Sequence, residues 1–101
     1  MITDKQFDDA FTAAGGWFFL TQFELIKSWS GIKADLVNLI YTMGFDSKKT
    51  GSNTRVSSTV RIINSGRDKE ALIKIRDSKS INREHPEAEK IASELLSKHF
   101  R

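Results

Sequence analysis

Two helices joined by a very short turn are predicted between Thr21 and Gly44, and this pair limits the fold more than any other feature. Thr21 and Glu24 have the spacing of a capping box, which places a helix start at Thr21. Gly31 suits the left-handed residue that ends a helix, and Gly44 supplies a second such stop. The sequence therefore predicts one helix on each side of a turn at residues 30 to 32.

The second of these helices carries its apolar residues at intervals of four, three, one and three. This spacing gives one apolar face at 3.6 residues per turn, and its members are Ile32, Leu36, Leu39, Ile40 and Met43. Two helices around a short turn with glycine are the outline of a DNA-binding helix-turn-helix. Phe23 to Thr42 resembles that motif, which implies buried positions at Val37 and Ile40. A plain αα-hairpin would give much the same pattern.

The composition is that of a small globular chain. Its 101 residues predict a single domain over 1–101, and 39% hydrophobic residues suffice for one modest core. The absence of cysteine excludes disulfides, Cys-ligated zinc, iron–sulfur clusters and thiol catalysis. The N-terminus lacks the layout of a signal peptide, and Trp17 to Leu20 is too short an apolar run to cross a bilayer. We therefore expect a cytoplasmic protein without a membrane partner.

Positive charge is concentrated in the middle of the chain. Residues 1 to 46 carry three basic and six acidic groups, residues 47 to 79 carry nine and three, and residues 80 to 101 carry four of each. The middle stretch has a net charge of +6 within a total of +3, and no acidic residue lies between Asp46 and Asp68. A concentration of this kind is typical of a surface that binds a polyanion.

Helical signals also flank the central pair. Thr3 and Gln6 form a capping box at the start of an apolar stripe that ends at Gly15. The aromatic run Trp17 to Phe19 follows. This run either forms a bend with an extended apolar segment or belongs to the first turn of the next helix, which would then begin early. We expect it to be buried among the other helices; the alternative is an exposed patch through which a protein partner binds Trp17, Phe18 and Phe19.

Residues 54 to 64 allow both a helical and a strand interpretation. Val56, Val60 and Ile63 make a helical face, whereas Val56, Ser58 and Val60 alternate as in a strand. We favour a helix, because a lone strand could not satisfy its backbone hydrogen bonds. Residues 45 to 53 and 78 to 85 read as loops. The prediction is an all-α, compact single-domain bundle of five to six short helices, with an α+β fold containing a strand at 55–64 as the alternative.

On the helical interpretation, residues 54 to 65 carry a polar stripe opposite the apolar face. Small hydroxyls allow a phosphate backbone to approach closely, and arginine can bind phosphate in a bidentate manner. The stripe comprises Thr54, Ser57, Ser58, Arg61 and Ser65, with Arg55 to one side. Its alternative is an ordinary solvated helix face.

The sequence offers no catalytic constellation. His85 and His99 are fourteen residues apart, which is not the spacing of metal ligands on one helix. Acidic residues are scattered over predicted helix surfaces rather than paired as a metal-dependent nuclease requires. We therefore predict a protein that is not an enzyme and that uses no metal or cofactor.

The function expected from these observations is DNA binding, as a small transcriptional regulator or a mobile-element accessory protein. Such a protein can bind DNA as a homodimer. Asp35 argues against base reading by the second helix, because a carboxylate repels phosphate. The predicted DNA-binding residues are Lys33, Asn38, Lys48, Lys49, Arg55, Ser57, Ser58, Arg61 and Arg67. The alternative is a protein-interaction module or small inhibitor that docks its basic middle on an acidic partner surface.

Overall fold

The computed structural model describes residues 1 to 100, and these form seven α-helices and no strand. The helices are α1 (Asp4–Ala14), α2 (Gly16–Ser28), α3 (Lys33–Thr42), α4 (Lys49–Asn64), α5 (Asp68–Arg76), α6 (Lys79–Glu84) and α7 (Ala88–His99). The all-α prediction is confirmed. The alternative strand at 55–64 is wrong, because that stretch lies inside α4.

Helix α4 is the centre of the bundle and packs against α1, α2, α3 and α5. Val56 and Ile62 on its inner side are fully buried, each in a different apolar cluster. The larger cluster joins α4 to α1, α2, α5 and α7, and the smaller one joins it to α2 and α3. Ile63 packs against both clusters, so the two cores are continuous through α4.

The start and stop of α1 follow the sequence prediction. The backbone N–H of Gln6 donates to Thr3 Oγ1 at 3.1 Å, and the backbone N–H of Thr3 donates to Gln6 Oε1 at 2.9 Å. Gly15 has a φ of 85°, a conformation that disfavours side chains, and it ends α1. The same residue precedes the first residue of α2, so the chain turns from one helix into the next at a single glycine.

Helix α2 begins at Gly16, five residues before the predicted start. Thr21 lies inside it, and its hydroxyl donates to the Phe18 carbonyl at 3.4 Å instead of capping the helix. Phe18 and Phe19 are 1% and 0% exposed, so the predicted burial of the aromatic run is confirmed. The alternative of an exposed patch is wrong for Phe18 and Phe19, because both rings lie in the core; Trp17 is half-buried and packs at its edge.

The turn after α2 differs from the prediction at Gly31. The helix ends at Ser28, Trp29 is extended, and Gly31 does not have a positive φ. The Trp29 indole N–H donates to the Ile32 carbonyl at 3.1 Å, and this bond closes the turn. Gly44, by contrast, has the expected positive φ of 85° after α3.

Helix α3 buries only part of the predicted apolar face. Leu36, Val37 and Ile40 are buried, whereas Ile32, Leu39 and Met43 are exposed. The reason is that α3 packs mainly on α4, while α2 and α3 meet chiefly through the smaller apolar cluster. Burial of Val37 and Ile40 agrees with the helix-turn-helix register, but the two helices do not form a close pair of their own.

Two boundaries account for the additional helix and the longer α4. Helix α4 takes in Lys49 to Asn53, which were predicted as loop. The predicted loop at 78–85 contains α6, whose start is capped by the Ser78 hydroxyl accepting from the Ile81 N–H at 3.2 Å.

Over residues 1 to 100, no helix combines the length and apolarity needed to cross a bilayer.

Candidate nucleic-acid interface

Arg55 is held inside the fold rather than presented on the surface. Its Nε donates to both carboxylate oxygens of Asp46, at 3.0 and 3.1 Å, and its Nη1 donates to the Ala14 carbonyl at 2.7 Å. The Arg55 and Asp46 side chains are only 29% and 16% exposed. We call these three groups the Arg55 latch, since they tie the end of α1 and the α3–α4 loop to α4. The charge of Arg55 is therefore paired with Asp46, and its Nε and Nη1 donors are used inside the fold, which argues against the predicted role in phosphate binding.

Arg67 is also neutralised by carboxylates. Its Nη2 lies 2.6 Å from Glu70 Oε2 and 2.9 Å from Asp4 Oδ1, and its guanidinium stacks over the Phe7 ring. The hydrogen bond to Glu70, followed by that to Asp4, raises the pKa of Arg67 above its ordinary value. Arg67 joins the start of α5 to the start of α1 and contributes little free positive charge.

Four of the predicted cations have no carboxylate within ion-pair distance among residues 1 to 100. They are Lys33 at the start of α3, Lys48 and Lys49 at the start of α4, and Arg61 near its end. All four are exposed. The Lys33 ammonium donates to the Ser57 hydroxyl at 2.5 Å, a neutral partner that leaves its charge uncompensated.

These cations border one polar ridge along α4. Residues four apart on a helix are neighbours, and such a row runs through Lys49, Asn53, Ser57 and Arg61. Twelve residues at 1.5 Å per residue separate Lys49 and Arg61 by about 18 Å along the axis. The ridge thus offers a row of amide, hydroxyl and cationic groups with Lys33 beside its middle.

A shallow groove lies on each side of this ridge. On the α3 side it is lined by Lys33, Ala34, Val37, Lys49, Thr50 and Asn53. On the α1 side it is lined by Asp9, Ala10, Ala13, Ser57, Ser58 and Arg61. Each groove combines cationic side chains with small residues, Ala34 and Thr50 on the α3 side and Ala10, Ala13, Ser57 and Ser58 on the α1 side. Asp9 is the acidic member, and Lys5 pairs with it at 2.9 Å.

The remaining predicted residue, Asn38, is exposed on α3. Asp35, which argued against base reading, is also exposed and makes no ion pair with residues 1 to 100. The structure thus gathers Lys33, Lys49, Ser57 and Arg61, with Ser58 beside them and Lys48 at the end of the ridge. It withdraws Arg55 and Arg67 into intramolecular pairs.

The two histidines serve contacts within the fold. His85 stacks on the Trp17 ring with centroids 3.8 Å apart, and His99 Nε2 lies 3.1 Å from Glu24 Oε2. Glu24 also accepts from the Lys98 ammonium at 2.6 Å, and the bonds from Lys98 and then His99 lower the Glu24 pKa below its ordinary value. Within residues 1 to 100, no three His, Asp or Glu side chains are grouped so as to hold a metal ion.

Sequence reasoning located the cations of the ridge but missed what neutralises the others. Arg55 reaches the Ala14 carbonyl 41 positions away, and Arg67 reaches Asp4 63 positions away. One indication of this pairing was present in the sequence, the acidic surplus of the first 46 residues. Asp4, Asp8 and Asp46 from that stretch pair with basic residues elsewhere in the chain. No family model, curated protein or solved structure matches this chain.

Proposed function

We propose that this protein binds duplex DNA through the α4 ridge, by contacts to the phosphate backbone. The observation that carries the proposal is the set of four exposed cations, Lys33, Lys48, Lys49 and Arg61, that lack a carboxylate partner within residues 1 to 100; three of them border the α4 ridge, and Lys48 directly precedes α4. Phosphate contacts of this kind come from lysine and arginine together with short hydroxyl and amide side chains. Asn53 and Ser57 supply the latter between the cations.

Binding of this type is tolerant of sequence. Helix α4 is enclosed by α1, α2, α3 and α5, so it presents a stripe rather than a protruding helix that could enter a major groove. Contacts to phosphates position a protein on DNA but do not read bases. A role as a DNA-associated accessory protein fits this surface better than a role as a sequence-reading regulator.

The proposal is tested by the dependence of affinity on salt. If four phosphates are neutralised, the logarithm of the association constant should fall with the logarithm of the salt concentration with a slope of about −3.6. The measurement is a fluorescence anisotropy titration of a labelled mixed-sequence duplex at several salt concentrations. A second duplex of unrelated sequence should bind with similar affinity.

A matched pair of double variants separates the ridge from net charge. Lys49→Ala/Arg61→Ala removes two ridge cations and should reduce the slope by about 2. Lys79→Ala/Arg83→Ala removes two exposed α6 cations that also lack carboxylate partners within residues 1 to 100, and it should leave affinity and slope nearly unchanged. Equal losses in both variants, or no loss in the first, would refute the proposal.

A second candidate function is that of a protein-interaction module. The observation in its favour is the apolar surface at α3, where Ile32 is 70% exposed. The DNA titration discriminates between the two functions, since a module that binds a protein through this apolar surface need show no affinity for a mixed duplex at moderate salt.

A further inference from the structure

Three apolar side chains of α3 are left without a partner in the fold. Ile32, Leu39 and Met43 are 70%, 39% and 45% exposed. Offsets of seven and eleven residues return to nearly the same side of an α-helix. Ile32 caps the start of α3 and Met43 its end, and with Leu39 they lie along one side of the helix, which we call the α3 stripe. An exposed apolar line of this kind marks an interaction surface.

A small apolar pocket opens beside the first residue of the α3 stripe. It lies between the end of α2, the start of α3 and the second half of α4, and its volume is about 220 Å³. Its apolar walls are formed by Ile26, Trp29, Leu36, Val60 and Ile63. Because Gly31 and Lys33 also line it, Ile32 stands directly at its edge. The molecule thus carries an exposed apolar side chain next to an apolar cavity.

We propose that this surface binds a second copy of the same chain, with Ile32 of each copy inserted in the pocket of the other. A two-fold axis that passes between a projecting side chain and an adjacent cavity brings each onto its counterpart in the partner. The two contacts are then identical, as a two-fold interface requires. Leu39 and Met43 extend the apolar contact along α3.

Charge complementarity supports the second copy as the occupant. Asp35 follows Ile32 by one helical turn, is exposed and makes no ion pair within residues 1 to 100. The rim of the pocket carries Lys33, which has only a hydroxyl partner; Lys27, also at the rim, is already paired with Asp68 at 2.9 Å. Insertion of Ile32 brings Asp35 of one copy toward Lys33 of the other, so in the dimer Lys33 is paired and the phosphate contacts of the proposed function fall to Lys48, Lys49 and Arg61 of each copy. Asp35, the carboxylate that argues against base reading by α3, thus has a role in this contact.

Self-association is measured by sedimentation velocity over a range of protein concentrations, without nucleic acid. The unmodified protein should form a dimer, and Ile32→Ala should weaken the dimer by about tenfold or more, because two isoleucines leave the interface. Tyr41→Ala is the matched control: Tyr41 is 39% exposed, as Leu39 is, but lies on another side of α3. This control should dimerise normally. A protein that stays monomeric at all concentrations, or a dimer unchanged by Ile32→Ala, would overturn the proposal.

Complementary variants test the reciprocal insertion itself. Asn64→Phe places a ring at the rim of the pocket from an exposed position, so the cavity is filled without altering the core. Each variant alone should associate weakly. In an equimolar mixture, the Asn64→Phe copy supplies an intact Ile32 and the Ile32→Ala copy supplies an intact pocket. A mixed dimer stronger than either homodimer supports the insertion, and a mixture no stronger than its components contradicts it.

Discussion

Replacing Arg55 by alanine should lower the free energy of unfolding by about 2 to 4 kcal/mol. The substitution removes one charge-assisted Nε–H bond, shared between both Asp46 carboxylate oxygens, and one Nη1 bond to the Ala14 carbonyl. Loss of the partner of a buried charged group costs about 3 to 5 kcal/mol. The expected loss of stability is smaller than this cost, because the Arg55 side chain is 29% exposed and water can reach part of the site. For a chain of this size the change corresponds to roughly 10 to 25 °C in the melting temperature.

The assay is chemical denaturation followed by circular dichroism, with thermal melting as the second probe. Arg61→Ala is the control, because it removes the same charge from an exposed position six residues along α4 and should change stability by less than about 0.5 kcal/mol. Arg55→Lys keeps the charge but replaces the two nitrogens that bond Asp46 and Ala14 by one, so its stability should fall between the two. If Arg55→Ala is as stable as Arg61→Ala, the bonds to Asp46 and Ala14 do not hold Arg55 in the fold, and Arg55 remains a candidate for DNA binding.

Two further predictions concern the α1–α2 junction and the end of α7. Gly44→Ala should lower the free energy of unfolding by about 1 to 2 kcal/mol through backbone strain alone. Gly15→Ala should lower it by more. Both glycines have a φ of 85°, but an added Cβ would lie 2.6 Å from a guanidinium nitrogen at Gly15 and would meet nothing at Gly44; urea midpoints of the two variants decide. The Glu24 pKa is lowered in the folded state by Lys98 and His99, so its contribution to stability is present above the unfolded value of about 4.3 and is lost as the pH falls through the folded value. Glu24→Gln should therefore be less stable than the unmodified protein at pH 7 and equally stable at strongly acidic pH, and a deficit that is the same at both would contradict this.

The parts of the fold that depend on short-range signals could be predicted. The capping box of α1 joins residues three apart, and the left-handed glycine at 44 acts within one turn of a helix end. These effects are local, so a sequence window contains all the groups involved. The same kind of signal failed at Thr21, because burial of the neighbouring aromatic residues stabilised an earlier helix start.

The candidate site could be predicted only in part. The basic surplus of the middle third, and the ridge residues Ser57 and Arg61, were visible as composition and periodicity. Which cations remain free was not visible, since Asp46 and Asp4 reach their arginines only after the helices have packed. A charge count along the chain cannot distinguish a free arginine from a neutralised one.

By itself the sequence determined that this chain is helical, that it contains no cysteine chemistry, and where several helices begin and end. These properties follow from backbone propensity and from side chains within a few residues of each other. Only the tertiary structure decided that α3 packs on α4 with Ile32, Leu39 and Met43 outward, and that Arg55 is enclosed while Arg61 is free. The physical reason is that burial and ion pairing depend on distances in space, and distant parts of the chain set those distances.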